Sequence, residues 1–190
     1  QIGMVPALCG VRVVDCTNEL GAYGARLLAS LGADVVRLVD ASGSAERPHG
    51  EYDLYFNADK TVVAIDPGDV VQVSAVRRLA ERAQIVIETV GASLLENAGL
   101  TPERLAEVNP GVVHTRIAPL GIHGPDAGQR ASDLTLMARG GLMWLAGEPG
   151  RPPLRAAGHQ SSIAVGLYAA VGSLVALLAE PQRAQRGRQT

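Results

Sequence analysis

Residues 10–40 read GVRVVDCTNELGAYGARLLASLGADVVRLVD, and the fold turns on how that stretch divides. Val11–Asp15 is a short run rich in β-branched residues, which suit a pleated, covered strand. Asn18–Gly24 (NELGAYG) carries two glycines and reads as a turn. A helix follows Gly21 through Leu31, and Ala33–Val39 (ADVVRLV) is a second strand. Strand, turn, helix and strand in that order form a βαβ unit, which implies parallel pairing with a right-handed crossover.

The same alternation continues outward. Thr61–Ile65 (TVVAI) is a third strand, and Asp69–Ala83 is a helix with Val70, Val73, Val76, Leu79 and Ala80 at helical spacing. Ile85–Glu88 (IVIE) is a fourth strand. Thr101 as N-cap and Pro102 at the first helical position open a helix to Val108. Val112–Ile117 (VVHTRI) is a fifth strand. A glycine- and proline-bearing loop runs from Pro119 to Gly128, and a further helix begins near Ser132. Ala41–Glu51 (ASGSAERPHGE) reads as the most mobile loop. The fold class is α/β with a mostly parallel sheet, in a single domain spanning 1–190.

Composition narrows the function classes. Of 190 residues, 47% are hydrophobic and 19% charged, the balance of a packed globular chain. Lys and Arg number 17 against 19 Asp and Glu, so no basic surplus invites nucleic acid. Aromatics are only 3%, so aliphatic residues build the core and stacking platforms for exposed bases are not expected. The chain opens at Gln1 without a basic-then-apolar leader, which reads as a trimmed start with no secretory signal. Cys9 and Cys16 flank a strand that would hold them about 20 Å apart. A disulfide needs Cα atoms within about 7 Å, so the two do not pair and a reducing cytoplasm is expected.

Ser162–Ala179 (SIAVGLYAAVGSLVALLA) has no charge, and Arg183, Arg186 and Arg188 follow it. That is the lower length limit for a membrane-spanning helix. The preferred reading is a central helix of a soluble α/β core, apolar all round because it is covered all round. Its small residues Gly166, Ala169, Ala170, Gly172 and Ser173 suit close packing.

The first turn, Asn18–Gly24, followed by Asp40 at the end of the second strand, resembles a dinucleotide-binding arrangement. Only part of the G-x-G-x-x-G fingerprint is present, and its first glycine is missing. The histidines are His49, His114, His123 and His159. None has i, i+4 spacing or a CxxC neighbour, so no metal site is expected. His123 lies in a loop that borders a potential site, and His159 precedes Ser161 and Ser162. No G-x-S-x-G elbow makes these a hydrolase.

A longer pattern emerges across the whole chain. It runs through Gly10–Asp15, Arg26–Arg37, Phe56-Asn57-Ala58-Asp59-Lys60, Ala83–Glu88, Gly99-Leu100 and Asn109-Pro110. It continues in Gly121–Pro125, Ser132-Asp133-Leu134, Gly140–Pro153, Ala176–Leu178 and Gly187-Arg188. In this order the segments resemble the family III CoA-transferases, the group of formyl-CoA transferases, carnitine CoA-transferases and α-methylacyl-CoA racemases. The resemblance implies the Rossmann-like large domain of a longer protein, without its small domain. It also implies an acyl-CoA thioester substrate, no permanently bound cofactor, and an interlocked homodimer or association with a second CoA-transferase chain or domain. No nucleic acid and no membrane partner is implied.

Residue by residue the carry-over is uneven. The family's catalytic Asp stands four residues ahead of a Gly, which here gives Ser162 ahead of Gly166. A serine cannot form the mixed anhydride that a carboxylate forms. If Ser162 descends from that Asp, its side chain is expected to open into a cavity near Gly140 and Gly141. Leu20, Gly21 and Ala22 keep the loop that cradles CoA with its backbone, and Ile65 keeps an apolar wall for adenine. The Asn–Phe pair expected after Glu88 is Thr89-Val90, which removes the stacking ring. Asp40 stands where a phosphate-binding Arg is useful, and Gly68 where the formyl-CoA transferase pattern has Lys. Two readings follow. One is a CoA-transferase working with Ser162 or with a carboxylate from another domain or subunit. The other is a non-catalytic scaffold half that supports an active chain.

Overall fold

The computed structural model describes residues 5–41, 50–91 and 94–186, with side chains to residue 179. Its elements are β1 (Arg12–Cys16), α1 (Ala22–Ser30), β2 (Asp34–Asp40), α2 (Glu51–Phe56), β3 (Thr61–Ile65), α3 (Val70–Glu81) and β4 (Ile85–Thr89), followed by α4 (Leu94–Asn97), α5 (Pro102–Val108), β5 (Val113–Ile117), α6 (Asp133–Arg139), α7 (Leu142–Leu145) and α8 (Gln160–Arg186). All five expected strands are present, with ends shifted by one residue at most. β1 runs on to Cys16 because β4 continues beside it, Cys16 standing opposite Glu88.

The strands make one sheet in the order β3-β2-β1-β4-β5, every neighbouring pair parallel. The chain steps outward from β1 to β3, then returns to the other side of β1. Connections leaving the carboxyl ends of β1 and β4 therefore depart to opposite faces, and the crevice between them is where α/β sheets bind ligands.

Alternation along the strands divides the core into two layers. Val13, Val35, Ile85, Ile87 and Ile117 pack with Ala25, Leu28 and Ala29 of α1 and Ala169 and Ala170 of α8. Val14, Cys16, Leu38, Ile65 and Val86 face α3, α4 and α5 through Val76, Ala80, Leu94, Leu95 and Leu105. Helices α1 and α8 cross in backbone contact. A Cβ on Gly24 would stand 2.7 Å from the Gly166 carbonyl oxygen, and one on Gly166 would stand 2.7 Å from the Gly24 nitrogen.

Three features depart from the sequence reading. Helices α2, α4 and α7 were not expected, being too short to show a 3.6-residue period. Glu51 begins α2 rather than ending a loop, and residues 42–49 of the expected mobile loop lie outside the described residues. Helix α8 is not covered all round. Ala169, Ala170 and Ser173 are buried, but Leu167, Tyr168, Val171, Val175 and Leu178 are exposed. Gln160–Ala179 has a mean hydropathy of 2.1, and only 28% of its most apolar window is buried, so by length and composition it passes for a membrane span. The reason is geometric: the small-residue side lies against α1 and β5, and nothing among the described residues reaches the opposite side. Cys9 is exposed, Cys16 is buried, and both are free thiols.

Candidate functional site

The crevice at the carboxyl end of β1 is built around Asp15, which is fully buried. Its Oδ1 accepts from the Thr17 N–H at 2.9 Å and the Thr17 hydroxyl at 2.6 Å. Its Oδ2 accepts from Lys60 Nζ at 2.8 Å and lies 3.6 Å from Arg37 Nη1, a charge contact too long for a hydrogen bond. Lys60 also donates to the Ala22 carbonyl at 2.9 Å and to Asn57 Oδ1 at 3.3 Å. One ammonium thus ties the end of β1, the first turn of α1 and the segment entering β3. Burial holds the Lys60 pKa below its usual range, while the Asp15 carboxylate pulls it back up. Burial likewise pushes the Cys16 thiol up, helped by the negative charges of Asp15 and Glu88.

The β1–α1 turn above this cluster is closed on itself. Leu20 N–H donates to Asn18 Oδ1, and the N–H groups of Gly21 and Ala22 both donate to the Asn18 carbonyl. Asn18 N–H in turn donates to Thr89 Oγ1 at 3.1 Å, stitching the turn to the end of β4. Leu20, Gly21 and Ala22 are all buried. A Cβ on Gly21 would meet Thr17 and Ile117 side-chain carbons at 2.7 Å, so only glycine fits. The turn therefore offers a bound molecule shape and carbonyl groups rather than free amide donors at these three residues.

A second group gathers at the amino end of α8. His159 Nδ1 stands 2.8 Å from a Glu19 carboxylate oxygen, out of line for a hydrogen bond. Tyr52 donates its hydroxyl to the Glu19 carbonyl at 3.0 Å, and its ring packs on Phe56 and His159 with centroids 4.1 and 4.8 Å apart. Burial, then the Glu19 charge, raises the Tyr52 pKa above the ordinary tyrosine range. Asp133 Oδ1 accepts from the Ser161 N–H at 2.9 Å and so caps α8 from outside, with Arg155 3.7 Å from its other oxygen. Ser162 is buried, and its hydroxyl makes no hydrogen bond among the described residues. His159 turns to Glu19 rather than to Ser162.

The other sequence candidates scatter. Ile65 is buried in the α3 layer beside Leu38 and Val76 and is a core residue as much as a wall. Gly68 is exposed, its N–H held by Asp66. Asp40 ends β2 and is half-buried. His114 Nε2 lies 3.0 Å from Glu88 Oε1, which also accepts from Arg116 Nε at 2.9 Å, on the sheet face away from α1. His123 is in an exposed loop, and His49 lies outside the described residues. A cavity of about 390 Å³ opens at the other end of the strands, and neither Ser162, Gly140 nor Gly141 lines it. Sequence reasoning passed over Tyr52 and Glu19, although Tyr52, Tyr55 and Phe56 stand at i, i+3, i+4, the spacing of one helical face.

The model of CoA-transferase family III matches residues 8–189. The chain belongs to CoA-transferase family III. It is 36% identical to the succinyl-CoA:(R)-benzylsuccinate CoA-transferase subunit BbsE of Thauera aromatica, over 93% of this chain and 46% of that protein. It is 31% identical to a formyl-CoA:oxalate CoA-transferase of Streptomyces avermitilis, over 97% of this chain and 46% of that protein. Among solved structures, a CAIB/BAIF family protein from Brucella suis superposes with a TM-score of 0.86 at 29% identity, covering 97% of this chain and 51% of its own. The chain spans about half the length of the curated relatives it matches.

Proposed function

We propose that this family III segment works within a protein that moves CoA between an acyl-CoA thioester and a carboxylic acid, and that the segment itself is a non-catalytic scaffold half. The observation that carries the reading is Ser162. It stands four residues ahead of Gly166, at the start of α8, with no base hydrogen-bonded to it among the described residues and no carboxylate in its place. A serine that keeps its proton attacks a thioester poorly. The closed β1–α1 turn and Thr89-Val90 support a CoA cradle reduced to shape, so CoA is held weakly by this segment alone. The reacting carboxylate then comes from a second CoA-transferase chain or domain, and the exposed apolar side of α8 favours association of that kind, with itself or with that second half. The BbsE relative bears the name of a subunit, which fits an enzyme of more than one chain. We place the protein in the cytoplasm.

The test is incubation with succinyl-CoA or acetyl-CoA, a hydroxylamine trap and intact-mass spectrometry. The expected result is no acyl or CoA adduct on this chain, and transfer activity only when a second family III chain is added. An adduct at Ser162 overturns the scaffold reading and makes the segment a serine-dependent thioester enzyme.

A further inference from the structure

At the amino ends of β1 and β2, opposite the β1–α1 turn, a cavity of about 390 Å³ opens between α3 and the sheet. That volume lies within the range of small-molecule pockets, roughly 300–1,000 Å³. The step in the sheet makes it. β3 begins opposite Val36, so Asp34 and Val35 have no third strand beside them. Val14 and Val36 form the floor, and Ala75 and Leu79 of α3 form the wall. Ala75, Arg78, Leu79 and Arg82 fall at i, i+3, i+4 and i+7, so one side of α3 brings both apolar wall and cationic rim.

The rim carries three guanidinium groups, Arg12, Arg78 and Arg82, against one carboxylate, Asp34. None of the three makes a side-chain hydrogen bond or ion pair among the described residues; Arg12 is held through its main chain, its N–H donating to Gln84 Oε1 and its carbonyl accepting from the Gln84 N–H. Attraction to the carboxyl end of α3 accounts for placing Arg78 and Arg82 there, but not Arg12, which comes from a different element. Three unpaired cations around an apolar floor match a ligand with a negative head and a hydrocarbon body. A phosphate or other small inorganic anion has nothing to lay on Val14, Val36 and Leu79. We propose that this cavity binds an aliphatic carboxylate, with its chain on the valine floor and its head among Arg12, Arg78 and Arg82. The cavity opens at the amino ends of the strands on the α3 face, and the β1–α1 turn stands at their carboxyl ends, so the site is separate from any CoA bound there.

Calorimetric titration of the purified protein with decanoate below its micelle concentration tests this, alongside decanol, inorganic phosphate and CoA. One saturable decanoate site is expected, with decanol at least ten-fold weaker, phosphate not bound there, and saturating CoA without effect. Arg78→Gln/Arg82→Gln is expected to weaken decanoate at least ten-fold. Ala75→Leu, which fills the cavity from its wall, is expected to abolish binding while circular dichroism stays unchanged. Absence of a saturable site, equal affinity for decanol or phosphate, competition by CoA, or unchanged binding in both variants overturns the proposal.

Discussion

The β1–α1 turn and the amino end of α8 border the same crevice, and they are held in different ways. The turn rests on a buried carboxylate that gathers contacts from Thr17, Lys60 and Arg37, three separate segments of chain. The start of α8 rests on one outside cap, Asp133 to Ser161 N–H, and on His159 lying near Glu19. Buried charges are costly to desolvate, so Asp15 is the member that holds a cluster like the first together, all the more because the Arg37 Nε and Nη1 atoms have no hydrogen-bond partner among the described residues. Exposed or half-exposed contacts like the second are screened and replaceable. The framework of the loop is thus the rigid part, and the position of Ser162 is the permissive one. A scaffold half that keeps a loop while the chemistry sits elsewhere has that distribution of stiffness.

The largest expected effect tests the stiff side. Asp15→Ala leaves the Lys60 ammonium and the Arg37 guanidinium buried without their acceptor, a change that costs about 3–5 kcal/mol. Urea unfolding reads it through the midpoint at unchanged slope. The double variant Asp15→Ala/Lys60→Met is expected to recover part of the loss, because the second change removes the stranded charge. A cost below about 1 kcal/mol for Asp15→Ala would erase the contrast between the two regions.

Next in size is the crossing that joins the two regions. Gly166→Ala or Gly24→Ala pushes a methyl group into the facing backbone, where a Cβ has only 2.7 Å. Overpacking of that kind costs about 1–3 kcal/mol. The two changes share one contact, so together they are expected to cost less than their sum. Thermal unfolding of the single and double variants measures this, and full additivity would mean that the helices do not meet there.

Much of the framework was legible in the sequence. The β-branched runs marked all five strands, and Thr101 does cap α5, accepting from the Arg104 N–H. The lateral order of the strands was not legible beyond parallel pairing, because periodicity reports which face is covered and not which strand lies alongside. The site was less legible than the fold. Asp15 and Lys60 are 45 residues apart, and only the return of the chain through β3 brings them together. Asp133 entered as part of a family pattern, and its work as an outside cap for α8 depends on a contact across 28 residues. The spacing to Gly166 marks Ser162, and its burial agrees with an inward position, but the cavity of about 390 Å³ is not beside Gly140 and Gly141. Composition described α8 as apolar throughout. Which side is covered follows from Gly24 and Gly166, a meeting of two glycines that no single-helix pattern reveals.

The third prediction probes the permissive side. Asp133→Ala removes the only side-chain acceptor for the Ser161 N–H among the described residues, and loss of a cap costs about 1 kcal/mol. Asp133→Asn keeps an acceptor oxygen and is expected to restore most of it. Urea midpoints of the two variants distinguish a cap from a general charge effect. An equal loss in both would mean that the charge near Arg155 matters more than the bond.

The smallest effect is a pH dependence. Burial, with the Glu19 charge next, raises the Tyr52 pKa above its ordinary value of 10.0, while Arg37 pulls the other way. Folding therefore holds the phenolic proton on. The stability this contributes is in place below pH 10 and is lost as pH rises through the raised folded pKa, because ionised Tyr52 favours the unfolded chain. Tyr52→Phe loses the hydrogen bond to the Glu19 carbonyl at every pH below that, about 1 kcal/mol. The gap between wild type and Tyr52→Phe is thus expected to be constant from pH 7 to 9 and to shrink above pH 10. Glu19→Gln in the wild-type background removes the second cause and is expected to reduce how far the gap shrinks, because the folded pKa comes down while the unfolded one, which sets the onset, does not move. Urea midpoints across this range decide it. A gap that stays constant to pH 11 would mean that Tyr52 titrates as a solvent-facing phenol, which would loosen the aromatic contact of Tyr52 with His159 that links α2 to the start of α8.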